Sequence, residues 1–271
     1  MQNSYKLFND NIKGEYEFFK DIENYLEKFK VAQGAEALSK AERVCNSSKK
    51  SYGSYFKDEE TAESICKQFI KIYNSLLNDL KCISEGDSNY NKCSKFLNYW
   101  VNYKLTENMK NERNSVCFVY NILEGQITHS DGYSILLDFI YDINKDDLYK
   151  MNILYRLYKN YTELYTILDN TSGGVKETSL SLSTACCKDY LEARYICDTS
   201  KNNSNNQFCN KLNDFVTKYN ELDGKVLQQP SDFSDYFIIL SKCPNTKIIS
   251  TAVTGTVVGL IPLMGVLYKV I

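Results

Sequence analysis

The sequence predicts an all-α fold, a multi-helix bundle ectodomain with cysteine staples plus one C-terminal transmembrane helix. Apolar residues recur along the chain with the 3.6-residue period of a helix, and no convincing strand alternation occurs. Only three of the 271 residues are prolines, so long helices can run without a break. Ten cysteines precede residue 248, and residues 248–268 carry no charged side chain.

Three apolar stripes predict helices in the first 105 residues. The stripes are Tyr16, Phe19, Ile22, Leu26 and Phe29; then Cys66, Phe69, Ile70, Tyr73, Leu76, Leu77 and Leu80; then Cys93, Phe96, Leu97, Trp100, Val101 and Leu105. Residues 40–57 are polar and basic, which predicts a loop or a frayed helix after the first stripe. Residues 85–88 contain Gly86 and Asp87 and predict a turn between the second and third stripes.

The central region predicts three further helices. A short helix covers residues 116–127 and ends near Gly125. Ser130 and Asp131 are typical N-cap residues and predict the start of the next helix. Its predicted inward-facing residues are Leu136, Phe139, Ile140 and Ile143. The third helix carries a 3-4-3-4 repeat, which predicts packing against a neighbour but is too short for a coiled coil. That repeat is Leu154, Leu157, Tyr161, Leu164 and Leu168.

Residues 170–184 are rich in Gly, Ser and Thr and predict a linker between two domains. The N-terminal and central helical domain then spans 1–169, and a second, cysteine-rich helical subdomain spans 185–243. Within the second, helices are predicted at 186–197 and 209–222, on either side of an Asn/Ser-rich loop. A last apolar helix is predicted from Phe233, Tyr236, Phe237, Ile238 and Leu240.

The uncharged stretch 248–268 predicts a transmembrane helix, because about 20 residues rising 1.5 Å each cross a hydrocarbon core of about 30 Å. Thr251, Gly255 and Gly259 are small residues spaced by four, a face that predicts weak self-association of such helices. Pro262 predicts a kink. The N-terminus lacks the apolar run of a secretory signal, so the C-terminal segment would direct insertion. Both a cytosolic and an external placement of the helical domain stay open.

The cysteines predict a disulfide framework in an oxidising compartment, because their number is even and high for a cytosolic protein. All ten are candidates: Cys45, Cys66, Cys82, Cys93, Cys117, Cys186, Cys187, Cys197, Cys209 and Cys243. The alternative is reduced cysteines packed as small apolar residues on helix faces. Cys186, Cys187, Cys197 and Cys209 are expected to pair largely among themselves, since they are close in sequence. The full connectivity is left open.

Composition and motifs argue against several functions. A formal net charge of −2 gives no basic excess for binding nucleic acid. A zinc site is not predicted, because no CxxC occurs and His129 is the only histidine. Catalysis would have to use His129, which is interpreted as an exposed turn residue, and no phosphate-binding glycine loop occurs. We therefore expect neither an enzyme nor a cofactor.

Two surface features are weaker signals. Lys40, Arg43, Lys49 and Lys50 form a modest basic patch, which is interpreted as a solvated loop, with an anionic partner as the alternative. Glycosylation sequons begin at Asn46, Asn160, Asn170 and Asn202. A chain rich in Asn, Ser and Thr produces sequons by chance, so they do not indicate secretion.

Four segments, taken in order, carry a family resemblance. Cys93–Leu105 (CSKFLNYWVNYKL) has a cysteine, an LNYW-like motif and YKL on one helix, and Leu154–Tyr165 is a tyrosine-rich central helix. The Cys186-Cys187 pair, with Cys197 and Cys209 after it, forms a second cysteine cluster, and Val258–Lys269 is an apolar stretch. Together these features resemble the variant interspersed repeat proteins of malaria parasites (Plasmodium), the Vir/PIR superfamily.

The resemblance implies a single-pass membrane protein that is exported to the infected red cell and its surface. Its implied role is that of a variant surface antigen, in antigenic variation and immune evasion, with adhesion to host cells as a further role. The implied partners are the membrane, host surface receptors and antibodies, and the family carries no catalytic residues to transfer. The residues alone also allow an intracellular, tail-anchored helical adaptor with reduced cysteines.

Overall fold

The computed structural model describes residues 15–34, 39–82, 88–111, 113–131, 140–169, 176–199 and 206–243. The chain divides into two compact units, Met1–Asn152 and Ile153–Ile271. Within the described ranges every regular element is helical, apart from one isolated antiparallel bridge between Phe56 and Met109. The all-α prediction is therefore confirmed for this part of the chain.

The described residues form eight α-helices and four short 3-10 helices. The α-helices are α1 Ile22–Gly34, α2 Ser39–Tyr52, α3 Glu59–Asn78, α4 Ser88–Asn108, α5 Val116–Asp131, α6 Lys145–Asp169, α7 Lys176–Thr199 and α8 Asn206–Val226. The 3-10 helices are Glu17–Lys20, Gly53–Tyr55, Ser231–Tyr236 and Leu240–Lys242. Helices α1–α5 belong to the first unit and α7 and α8 to the second, and the division falls inside α6.

Helix α3 begins where the sequence provides both a cap and favourable charges. Asp58 has extended backbone angles, and its Oδ1 accepts a hydrogen bond from Thr61 N at 2.6 Å. Glu59 and Glu60 occupy the first turn, where carboxylates interact favourably with the helix dipole. Shortly after the helix ends, Lys81 has a left-handed φ of 56°, which turns the chain toward Cys82. Helices α1, α2 and α4 all pack against α3.

Aromatic rings form the core of the first unit around α4. Phe96 stacks on Tyr25 with ring centroids 4.5 Å apart, and Tyr99 stacks on Phe18 at 5.3 Å. Trp100 is only 1% exposed. Because an aromatic side chain can bury about 150–250 Å², these contacts fix α1 and the turn before it on α4.

Two buried asparagines of α4 hold the segment 140–144. Asn98 Oδ1 accepts a hydrogen bond from Tyr141 N at 3.0 Å. Asn102 Nδ2 donates to Tyr141 O at 2.9 Å, and Asn102 Oδ1 accepts from Ile143 N at 2.9 Å. Neither asparagine is exposed at all. The pair therefore gives this non-helical segment the backbone partners that a strand would otherwise supply.

The second unit has its own aromatic core between α6, α7 and α8. Phe215 contacts the rings of Tyr158 and Tyr161, at centroid distances of 5.3 and 6.3 Å. Tyr219 stacks on Phe237 at 5.6 Å, and its hydroxyl donates to Ile238 O at 2.9 Å. These contacts bring the chain after α8 back onto that helix. The segment 231–242 is thus part of the core of the unit.

An ion pair also joins α6 to α7. Arg156 Nη2 lies 2.8 Å from Asp189 Oδ1, and Arg156 Nε lies 3.0 Å from Asp189 Oδ2. The Asp189 side chain is only 9% exposed, whereas that of Arg156 is 44% exposed. This two-pronged geometry satisfies the buried carboxylate.

Residues 40–57 were predicted as a loop or a frayed helix, and the loop alternative is wrong, because Ser39–Tyr52 forms α2. The helix buries Val44, Cys45 and Tyr52, and the Tyr52 hydroxyl donates to Cys45 O at 3.0 Å. So few apolar positions give a weak periodic signal in the sequence. Helix α2 instead depends on its contacts with α3 and α5.

Other element boundaries also differ from the predictions. Residues 176–184 of the predicted linker are helical, the start of α7, while 170–175 lie outside the described residues. Helix α5 continues through Gly125 to Asp131, so 130–131 end a helix rather than begin one. The predicted apolar helix at 233–240 is instead two 3-10 turns with an extended Phe237 between them.

The predicted transmembrane segment 248–268 lies outside the described residues, together with Thr251, Gly255, Gly259 and Pro262. Among the helices that are described, none is both long enough and apolar enough to cross a membrane.

The asparagine pair predicts a large loss of stability for Asn102→Ala. The substitution leaves Ile143 N and Tyr141 O, both in half-buried residues, without their side-chain partner, and each unpaired group shielded from water costs about 1–3 kcal/mol. We expect the free energy of unfolding, measured by urea denaturation, to fall by about 2–4 kcal/mol. Asn121→Ala on the exposed side of α5 is the matched control, with an expected change within about 0.5 kcal/mol. Equal losses for the two variants would contradict the role given to Asn102.

Candidate functional site: the disulfide framework and buried polar groups

Four disulfides cross-link the described helices. They are Cys45–Cys66, Cys82–Cys93, Cys187–Cys243 and Cys197–Cys209, with Cα–Cα distances of 5.7, 6.2, 5.5 and 5.8 Å. The first two lie within the first unit and the last two within the second. Each unit is therefore cross-linked internally.

In the first unit, the Cys45–Cys66 bond joins the polar helix α2 to α3. Beside it, Lys49 Nζ lies 3.3 Å and Lys67 Nζ 2.7 Å from the carboxylate of Glu63. The hydrogen bond from Lys67, followed by that from Lys49, lowers the pKa of Glu63. The covalent bond and these charges act on the same pair of helices.

In the second unit, one disulfide is nested inside the other. Cys197 at the end of α7 bonds to Cys209 at the start of α8. The Cys187–Cys243 bond encloses both, with a sequence separation of 56 residues. The outer bond joins the middle of α7 to the end of the described chain.

Two of the ten candidate cysteines are free thiols, Cys117 and Cys186. The expected pairing among residues 186–209 holds for Cys197–Cys209 alone, because Cys187 bonds to Cys243 instead. Consecutive residues on a helix point about 100° apart. Cys187 thus faces Cys243, while the Cys186 Sγ lies 4.0 Å from Leu157 O on α6. Apart from this angle between neighbouring side chains, nothing in the sequence indicates which of Cys186 and Cys187 bonds to Cys243.

The two free thiols lie in different surroundings. Cys186 is fully buried, and burial, aided by the charge of Asp189, raises its pKa. Cys117 is partly exposed near the start of α5, with its Sγ 3.7 Å from Asn121 Nδ2. Because the thiolate is the reactive form, Cys186 is the less reactive thiol of the two.

The remaining residues singled out from the sequence do not converge on a reactive centre. His129 lies in the last turn of α5, and its side chain is outside the description. Within the described ranges, no group of three or more His, Cys, Asp or Glu residues could hold a metal ion. In the basic patch, Lys49 pairs with Glu63, while Arg43 and Lys50 are exposed.

The sequons also fall in different places. Asn46 is exposed on α2, and Asn160 is partly buried in the middle of α6. Asn170 and Asn202 lie outside the described residues.

A polar cleft of about 480 Å³ lies between the N-terminal half of α3 and the C-terminal end of α4. Its lining residues are Asp58, Glu60, Thr61, Ser64, Ile65, Gln68, Lys104 and Asn108. Asp58 uses both carboxylate oxygens to cap α3, and Gln68 Nε2 donates to Ser64 Oγ at 3.0 Å.

A half-buried carboxylate, that of Glu15, lies near the start of the described chain. Glu15 Oε1 accepts a hydrogen bond from the Tyr141 hydroxyl. Burial raises the pKa of Glu15, and Asp147 adds to this, whereas Tyr141 and Lys95 act in the opposite direction. The hydrogen bond joins residue 15 to the segment that the α4 asparagines hold.

Comparisons with known proteins returned no match, whether with models of protein families, with curated proteins or with solved structures.

The disulfide framework predicts how the thiols react. We expect N-ethylmaleimide to label Cys117 alone in the native protein, and Cys186 as well after unfolding in guanidinium, because burial blocks the second thiol. Peptide mapping by mass spectrometry without reductant measures both. Cys117→Ser is the control that should abolish native labelling. A disulfide-linked peptide containing Cys186, or three or more labelled cysteines after unfolding, would contradict this framework.

The half-buried carboxylate predicts a pH dependence of stability. Since the pKa of Glu15 is raised in the folded state, the folded protein binds this proton more tightly than the unfolded chain does. Its contribution to stability is therefore present below the unfolded pKa and is lost as the pH rises through the folded pKa. Glu15→Gln keeps an oxygen acceptor for Tyr141 without the charge. We expect this variant to be more stable than the wild type at pH 8, with the difference shrinking toward pH 4.

Thermal unfolding at a series of pH values measures this difference. Glu27→Gln, on the exposed side of α1, is the matched control and should leave the pH profile of the wild type unchanged. A Glu15→Gln variant that is less stable than the wild type at pH 8 would show that the charge of Glu15 stabilises the fold.

Proposed function

We propose that this protein is a membrane-anchored variant surface antigen of malaria-infected red cells, acting in antigenic variation and immune evasion and in adhesion to host cells. The observation that carries the proposal is the set of four disulfides, which pair eight of the ten cysteines. Disulfides form and persist in oxidising environments such as the cell exterior and are rare in the cytosol. The framework therefore favours a helical domain that faces outward.

The position of the disulfides supports a role in which the surface varies. Each bond joins two helices, or a helix and an adjoining segment, inside one unit, and each typically contributes about 2–4 kcal/mol by constraining the unfolded chain. Most substitutions on exposed helix faces change stability by no more than about 0.5 kcal/mol. A cross-linked helical scaffold can thus accept many surface changes while its core stays the same.

The structure defines which surfaces are available for such variation. Of residues 40–57, which the sequence predicts as a loop or a frayed helix, most belong to α2. Its exposed positions include Arg43, Asn46 and Lys50. A second range, 198–208, contains the Asn/Ser-rich sequence between the bonded Cys197 and Cys209. These regions are the ones where we expect sequence changes with little effect on folding.

The resemblance in the sequence adds the identity of the host cell and the membrane anchor to this proposal. The residues 93–105 that resemble the Vir/PIR helix with its LNYW-like motif make up most of α4, the helix at the core of the first unit. The anchor in the proposal is the uncharged stretch 248–268, which follows Cys243 closely in the sequence.

The alternative is an intracellular, tail-anchored adaptor with reduced cysteines. It requires ten thiols in the cell, whereas the proposed surface antigen requires two. Counting the thiols of protein taken from cells and alkylated immediately separates the two functions.

Protease shaving of intact infected red cells tests the proposal directly. We expect an epitope tag at residue 1 to be lost when protease is added outside, while a second tag after residue 271 survives until the cells are lysed. Blots of both tags, read on reducing gels, measure this. Protection of the residue 1 tag until lysis would overturn surface display and direct attention to cytosolic partners of an adaptor.

A further inference from the structure

The nested disulfides of the second unit enclose a large part of it. Cys187 lies in the middle of α7 and bonds to Cys243, the last described residue. The chain from 188 to 242 contains the second half of α7, all of α8 and both following 3-10 turns. The Cys197–Cys209 bond lies wholly inside this loop.

Cys243 also lies next to the uncharged C-terminal stretch. Four residues, 244–247, separate it from residue 248 in the sequence. The Cys187–Cys243 bond therefore connects α7 covalently to the chain just ahead of the proposed membrane anchor.

We propose that the Cys187–Cys243 bond is a covalent clip, which carries tension from the C-terminal segment directly into α7 and leaves residues 188–242 free of tension. The inference rests on the proposed function, because a membrane anchor and adhesion to host cells are what place the chain under tension. Force that enters at Cys243 crosses to Cys187 and continues along α7 toward Lys176. The enclosed loop lies off this path.

The non-covalent contacts at this end of the unit show why such a clip matters. Tyr219 on α8 holds the returning chain through its ring contact with Phe237 and its hydrogen bond to Ile238 O. A pull on residue 243 without the disulfide would act on these contacts first and peel the segment from α8. With the bond in place, the same pull bypasses them.

The enclosed loop also carries exposed apolar side chains. Leu227 is 85% exposed and Tyr195 is 69% exposed, the two highest values among the large apolar residues of the described chain. Both lie between Cys187 and Cys243. The clip therefore keeps these surfaces in their folded arrangement while the chain is under load.

Single-molecule stretching of the full chain tests the clip. The protein is purified in detergent under oxidising conditions and pulled between handles at residues 1 and 271, and the contour length at full extension is measured. We expect the Cys187→Ser/Cys243→Ser variant to be longer than the wild type by about 150 Å. This follows from the 56-residue separation less the 12 residues that Cys197–Cys209 still holds, at about 3.3–3.6 Å per residue.

The matched control is Cys197→Ser/Cys209→Ser. Its bond lies inside the unloaded loop, so we expect it to add no length while Cys187–Cys243 is intact. A gain of about 40 Å in this control would show that the inner loop carries load and would overturn the clip. So would an unchanged length for the Cys187→Ser/Cys243→Ser variant. Contour length depends on covalent connectivity, so the result holds even if a variant folds poorly.

This measurement and the shaving assay can fail separately. Protection of the residue 1 tag on intact cells overturns surface display and leaves the stretching result unchanged. Stretching results that contradict the clip leave the display of the domain untouched.

Discussion

Both units depend on disulfides that cross-link helices with little buried apolar surface. Helix α2 buries Val44, Cys45 and Tyr52, and the inward positions of α7 include Ser179, Ser183, Cys186 and Ala193. Small and polar side chains remove little apolar area from water, so they contribute little hydrophobic free energy. Short polar helices are also marginal by themselves. The disulfides on α2 and α7 compensate by restricting the unfolded chain, and the aromatic cores of each unit pack against helices that are already joined.

Helix α4 is the opposite case, because its middle is buried on every side. Residues 96–102 are all buried, and five of the seven are large apolar or aromatic residues. The other two, Asn98 and Asn102, bond the backbone of the segment 140–144. Residues 97–102 (LNYWVN) therefore have two roles. Their apolar side chains fill the core, and their two asparagines hydrogen-bond the backbone of the segment 140–144. Such a stretch tolerates few substitutions, which gives a physical reason for a motif at this place in the chain.

The sequence predicted best those elements whose buried face is apolar. The stripe through Phe96 and the repeat through Leu157 lie on helices with those residues buried, and so does the stripe through Phe69 as far as Leu76. The predictions failed where burial used other chemistry. Helix α2 has few apolar positions, and the start of α7 buries serines, so both ranges had the composition of loops. Disulfide pairing was anticipated only for Cys197–Cys209, although Cys82–Cys93 also bridges a single short connection, with a sequence separation of 11 residues. The Cys187–Cys243 bond depends on how distant segments pack, and periodicity carries no information on that.

The Cys197–Cys209 bond has a further consequence for proteolysis. It spans the connection between α7 and α8, so the chain on both sides of residues 200–205 stays covalently joined when the backbone is cut there. The outer Cys187–Cys243 bond encloses the same site and joins the two fragments a second time. A nicked molecule would thus migrate as one piece on a non-reducing gel, and the cut would become visible only after reduction. Cleavage between these two cysteines would therefore leave α7 and α8 covalently joined.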